Sequence, residues 1–203
     1  MRSTMNQTLK QLSHPEGLTR KGQKRREEII SLARQRLINS GQDAVVLREI
    51  ADEMGSSLGR IQYYFRTRWD LVAAVVAKDI SVGIEDAISA GAEGSPDEKL
   101  KKFCDVFLAR CGEDSVIMWS GMWFFRHHYE EVQELMEFVY GLFYGALIEI
   151  IGEICPEDSK VVLKRKAMMV TSLLDGVSLQ PVPHKDLLSN IPGIALGLVK
   201  DRK

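Results

Sequence analysis

The stretch from Arg48 to Leu71, REIADEMGSSLGRIQYYFRTRWDL, constrains this chain more than any other part of it. It reads as a short helix, a tight turn at Gly55, a second short helix over Leu58–Tyr64, and a third helix entered through Thr67. Ile50 and Ala51 can pack inward on the first helix. Ile61 and Phe65, four residues apart, share one face of the second. That leaves Arg60, Gln62 and the Tyr63–Tyr64 pair partly outward, a set suited to base edges and phosphates. The geometry implied is helix-turn-helix, with Leu58–Tyr64 entering a major groove.

The local chemistry agrees with that geometry. Ser57 is placed to cap the recognition helix, and Gly59 permits close approach of another backbone or a phosphate. Arg60 is the first candidate for a base contact, because a guanidinium can engage guanine O6 and N7 together. Gln62 suits adenine or a phosphate. Of Tyr63 and Tyr64, one ring is expected to pack on the module while the other presents its hydroxyl to phosphate. Thr67-x-x-Asp70 has the form of a capping box, which sets Arg68 beside a helix N-terminus.

Charge divides along the chain. Residues 1–70 hold 13 Lys/Arg against 8 Asp/Glu and carry +5; residues 71–203 hold 14 against 20 and carry −6. A basic front and an acidic remainder suit a protein that touches nucleic acid with one end. At 203 residues and 45% hydrophobic, the chain can build a sizeable core. It contains no run of 18 consecutive apolar residues and opens on polar residues, so the expected location is cytoplasmic, without a membrane partner. Residues 1–20 read as a flexible arm. Arg20, Lys21, Lys24, Arg25 and Arg26 follow as a basic cluster able to reach a DNA backbone or minor groove. A helix from about Lys24 to Ser40 then ends at Gly41.

These residues resemble the TetR family of bacterial transcriptional regulators. The resemblance rests on the leading helix, on Arg48-Glu49-Ile50-Ala51, Gly55, Ser57, Gly59 and Tyr63 to Phe65, and on Arg68 opening the next helix. It covers about 50 residues of the chain. It implies an all-α protein with a DNA-binding domain over 21–67 and a helical effector-binding and dimerisation domain over 68–203. It further implies that Tyr63, Tyr64 and Arg68 lie close to DNA. Three positions depart from the family's habit: Val46 replaces a capping Ser or Thr, Arg60 replaces a small residue, and Gln62 replaces Tyr. They bear on which operator is read.

In the remainder, helices are expected over about 68–90, 97–111, 114–127, 130–152, 156–180 and 185–199. Pro156 is taken to start the fifth of these and Pro192 to bend or interrupt the last. The resemblance pairs the last two with those of a second subunit. Ala167, Val170, Thr171, Leu174, Val177, Ser178, Leu188, Ile191, Ala195 and Leu198 are the candidate interface residues. The aromatic region 103–144 corresponds to the family's effector-binding body and more faintly resembles its choline-responsive repressor branch. Cys104, Phe107, Met118, Trp119, Met122, Trp123, Phe143 and Tyr144 are the candidate lining, for a cation held by ring quadrupoles or a neutral apolar molecule.

Cys104, Cys111 and Cys155 form neither a metal motif nor a disulfide framework and read as buried thiols, with redox sensing as the alternative. Glu130, Glu131, Glu134 and Glu137 read as a solvated helix face beside His127 and His128. No cofactor, metal site or catalytic constellation is expected. The reading is therefore a dimeric, effector-responsive repressor on a near-palindromic operator. Its rivals are a regulator governed by a protein partner, and a helical small-molecule-binding protein or enzyme that has lost DNA binding.

Overall fold

Thr19 sets the start of the first helix. Its hydroxyl accepts the N–H of Gly22 at 3.2 Å, so α1 (Arg20–Ser40) begins four residues before the expected Lys24. Gly41 ends it with φ +77°, its N–H returning to the Leu37 carbonyl at 3.0 Å. The computed structural model describes residues 17–90, 94–110, 112–180 and 188–201. Most of the N-terminal arm, Cys111, Pro181, Pro183 and the expected start of the last helix at Lys185 lie outside the described residues.

Beyond α1 and a 3-10 turn (Gln42–Ala44), the chain forms α2 (Leu47–Glu53), α3 (Leu58–Tyr64), α4 (Arg68–Ala90) and α5 (Pro96–Arg110). It continues with α6 (Glu113–Phe125), α7 (Glu130–Ile154), α8 (Lys160–Ser178) and α9 (Ile191–Lys200). The all-helical class and most boundaries agree with the sequence reading to within a few residues. One proline acts differently from expectation. Pro156 lies in the connection before α8, which starts at Lys160 under the Ser159 hydroxyl. Pro192 stands in the first turn of α9, where its missing N–H has no helical partner to lose.

The chain divides into two compact units, 1–81 with 117–136 and 82–116 with 137–203. Three short helices have little apolar surface to share, and the first unit enlarges its core with Leu71, Val72, Ala74, Val75, Val76 and Ala77 of α4. An ion pair between Arg34 and Asp79 at 2.9 Å joins α1 to α4 in the same unit.

The second unit is organised around one apolar cluster. Leu100, Phe103 and Cys104 of α5 meet Leu147 and Ile151 of α7, Ala167, Val170 and Leu174 of α8, and Ile191, Ala195 and Val199 of α9. α7 is long and apolar enough, by composition, to cross a membrane. Its stripe from Val132 and Leu135 through Val139 and Leu142 to Leu147 and Ile150 is buried in protein instead.

Candidate nucleic-acid interface

The turn between α2 and α3 is held by backbone hydrogen bonds, with the Arg25 side chain donating to the Met54 carbonyl. Gly55 takes φ +58°, and its N–H and that of Ser56 return to the carbonyls of Asp52 (3.1 Å) and Ala51 (2.8 Å). Only glycine adopts that φ without strain. Ile50 and Ala51 of α2, Ile61 of α3 and Phe65 just beyond it are all at most 2% exposed, which fixes the inward faces of both helices. Val46 gives α2 no side-chain cap. Arg36 of α1 braces that helix from the side, donating to the Ala44 carbonyl (2.9 Å), Glu49 (2.6 Å) and Glu53 (3.0 Å).

α3 is capped at its N-terminus, and so is α4 after it. The Ser57 hydroxyl accepts the Arg60 N–H at 3.4 Å. After the helix, the Thr67 N–H donates to the Asp70 carboxylate (2.8 Å) and the Asp70 N–H to the Thr67 hydroxyl (3.1 Å), the reciprocal capping box read from the sequence. With the frame fixed this way, Ser57, Leu58, Gly59, Arg60, Gln62 and Tyr63 are exposed. Tyr63 is 73% exposed; Tyr64 is half-buried and meets its neighbour's ring edge-on at 5.1 Å. The division between the two tyrosines is thereby resolved: Tyr63 is the outward one.

The basic residues sort into two groups. Lys24, Arg48 and Arg60 are exposed, and no ion pair among the described residues holds them. Arg66, which the sequence reading passed over, belongs with them; its signal was its position one residue after the buried Phe65. The other arginines make contacts within the chain. Arg26 is 6% exposed, with its guanidinium 4.7 Å from the Phe65 ring centre, so it leaves the basic cluster expected at the start of α1. Burial lowers its pKa from the usual arginine value. Arg25 is tied to the Met54 carbonyl (3.1 Å) and Glu28 (2.9 Å). Arg68 lies over the rings of Trp69 (4.3 Å) and Tyr129 (5.3 Å), with Asp43 at 3.8 Å. Trp69 itself packs on Phe125 and Tyr129, within the same unit.

The candidate effector residues fall in both compact units. Met118 and Met122 are buried in the first, and Trp119 and Trp123 are half-buried there, Trp123 under the Arg126 guanidinium at 4.4 Å. Cys104, Phe107, Phe143 and Tyr144 belong to the second, where Phe143 meets the ring edges of Phe103 and Phe107. Two residues absent from that expectation stand beside Tyr144. The Tyr140 hydroxyl donates to the Asp175 carboxylate at 2.7 Å, and the Tyr140 and Tyr144 rings are 5.9 Å apart. Burial raises the Asp175 pKa above the ordinary carboxylate value, against the opposing hydrogen bond from Tyr140. Burial, then the Asp175 charge, raises that of Tyr144 as well. The available signal was that Asp175 is the only acidic residue in α8. The second unit also carries an open depression of about 700 Å³ lined by Asp86, Val106, Ala109 and Arg110, with Asp86 and Arg110 ion-paired.

Most of the expected interface residues are withdrawn from the surface. Ala167, Val170, Thr171, Leu174, Ile191 and Ala195 are buried within the chain itself, where they build the core of the second unit. Val177, Ser178, Leu188 and Leu198 are half-buried. The apolar side chains exposed on these helices are Val161, Met168, Met169, Leu179 and Ile194.

No family model matches the sequence, and no curated protein matches it. Solved structures do. A chain named a transcriptional regulator from Pseudomonas aeruginosa PAO1 superposes with a TM-score of 0.77 at 19% identity, over 87% of this chain and 90% of that one. A TetR-family regulator from Rhodococcus sp. gives 0.70 at 16% identity, over 87% and 98%. A regulator from Saccharomonospora viridis, solved in complex with choline, gives 0.69 at 17% identity, over 88% and 97%. The chain thus has the fold of transcriptional regulators with a helix-turn-helix, and specifically the fold of solved TetR-family members. At these identities the likeness establishes the fold, and the chemistry rests on the residues.

Proposed function

We propose that this protein is a TetR-type transcriptional regulator that binds double-stranded operator DNA as a homodimer and is released by a small organic cation. The observation that carries the DNA-binding part is the outward face of α3. Arg60, Gln62 and Tyr63 are exposed beside Arg48 and Arg66, while Ile61 and Phe65 lock the opposite side into the core. Gly59 adds support. A Cβ there would meet nothing within 4 Å, so no packing among the described residues calls for glycine. An approaching DNA backbone would.

A single recognition helix reads few base pairs, and two-fold pairing on a near-palindrome supplies the rest. Val161, Met168 and Leu179, at spacings of seven and eleven, share one exposed face of α8, with Met169 adjoining and Ile194 exposed on α9. A second copy of the chain is the proposed occupant of that face. The effector reading rests on Asp175 with Tyr140 and Tyr144. A partly desolvated carboxylate flanked by tyrosine rings favours a cation over a neutral ligand. The choline carried by the Saccharomonospora viridis relative is consistent with that class. Ligand weakens DNA binding only by binding the DNA-incompetent arrangement more tightly, and the coupling is reciprocal. An operator overlapping a promoter makes the protein a repressor, acting in the cytoplasm and without catalysis.

The test is retention of fragmented genomic DNA by wild type and Arg60→Ala (R60A) at moderate salt. Wild type is expected to enrich a shared near-palindrome. R60A should lose about 1–3 kcal/mol of specific affinity at one base pair in each half-site, with nonspecific binding retained. Absence of any enrichment by a folded wild-type dimer would sink the proposal.

A further inference from the structure

Outside the proposed DNA and effector sites, one cluster brings a nucleophile and a cation together with unusual burial. Cys155 follows the end of α7, and its backbone N–H still bonds to the Ile151 carbonyl at 2.8 Å. The connection then turns back, the Asp158 N–H donating to the Cys155 carbonyl at 3.1 Å. Lys166, two turns into α8, is only 8% exposed, and its ammonium lies 2.7 Å from the Asp158 carboxylate and 3.5 Å from the Cys155 sulfur. The Cys155 thiol is directed to the Val199 carbonyl of α9 at 3.4 Å.

An ion pair alone accounts for Lys166 and Asp158. It does not account for the sulfur that the same ammonium contacts. Buried lysines are rare unless paired, and here the second partner is a half-buried thiol. An adjacent cation stabilises negative charge on a sulfur attacking an oxidant. Cys104 provides the internal contrast: it is 0% exposed in the second unit's core, and burial pushes its thiol up to about 12.

We propose that Cys155 and Lys166 form a peroxide-responsive pair that closes into a reversible sulfur–nitrogen cross-link. The Cys155 thiol releases its proton to solvent as the sulfur attacks one oxygen of hydrogen peroxide; the S–O bond forms, the O–O bond breaks, and hydroxide leaves. Lys166 is the nearest acid, and its proton converts that hydroxide to water, leaving a neutral amine beside a sulfenic acid. The amine then attacks the sulfur, the S–N bond forms, and the sulfenic oxygen departs as a second water. Sulfur is oxidised by two electrons and one peroxide is reduced by two. The product fastens the α7–α8 connection to α8 and removes the thiol proton that Cys155 directs at α9.

The test treats the full-length protein with hydrogen peroxide and maps peptides by mass. The expected product joins Cys155 to Lys166 with two hydrogens fewer than the parent peptides, and dithiothreitol reverses it. Cys104 should be unmodified in the same sample. Lys166→Arg (K166R) retains the charge without a nucleophilic amine, so its Cys155 should stop at a sulfenic acid trapped by dimedone. Circular dichroism establishes that K166R is folded, and the wild-type result stands without it. A Cys155 as inert as Cys104 would overturn the proposal, as would a wild-type sulfenic acid that persists as long as that of K166R. The readout is a mass and is independent of DNA binding.

Discussion

The recognition helix and the tyrosine–aspartate site of the second unit are both polar features on all-helical frames, and they are fixed in opposite ways. α3 is seven residues long, and its orientation comes from neighbours within ten residues: the Gly55 turn, the Ser57 cap, the Thr67–Asp70 box, and Ile61 with Phe65 beneath. Asp175 meets Tyr140 across 35 residues of sequence, and the meeting depends on how α7 and α8 pack. Short-range chemistry leaves its mark in a local string of letters; long-range chemistry leaves only a polar residue in an apolar helix.

The largest test of that contrast removes the floor of the local site. Phe65→Ala empties a fully buried position and takes away the ring beneath the Arg26 guanidinium. It should cost about 3–5 kcal/mol in urea unfolding. If the loss is under about 1 kcal/mol, α3 is not held by its inward face. A smaller and more diagnostic change is Gly59→Ala. With open space around the added methyl, the helix should gain up to about 1 kcal/mol while operator affinity falls. Unchanged DNA binding would remove the argument for close backbone approach.

The smallest effect belongs to the long-range site. Burial raises the Asp175 pKa, so the folded chain holds that proton more tightly than the unfolded chain does. Its contribution to stability therefore falls as pH rises from the ordinary carboxylate range through the raised one. Asp175→Asn should melt higher than wild type at neutral pH, and the gap should close on acidification below the ordinary carboxylate range. A wild type that melts higher at neutral pH would show that the Tyr140 hydrogen bond outweighs burial.

The same distinction explains what could be read from the letters. The helix-turn-helix boundaries, both caps and the outward set at Arg60, Gln62 and Tyr63 follow from spacings of three and four, and the structure has them. Arg26 looked like one more surface cation, because nothing local distinguishes it from Arg25. It turns inward because Phe65 offers a ring face there. The interface expectation named the apolar stripe of α8 without a way to tell which stripe faces the chain's own core. Burial assigns Ala167, Val170 and Leu174 to that core and leaves Met168 and Met169 outside. Pro192 marks the interruption of the last expected helix, standing in the first turn of α9 after the turn at Ser189–Asn190.

The placement of Arg68 over the rings of Trp69 and Tyr129 has a kinetic corollary under the proposed function. A free arginine side chain carries roughly 2 kcal/mol of rotamer entropy, much of which is lost when it clasps a phosphate. Here that loss is incurred when the protein folds, so under the proposed function an arriving duplex would meet a guanidinium already in place. Replacing Tyr129 by leucine would loosen that guanidinium without touching any DNA-facing atom, and the change should register as a shorter residence time on the operator.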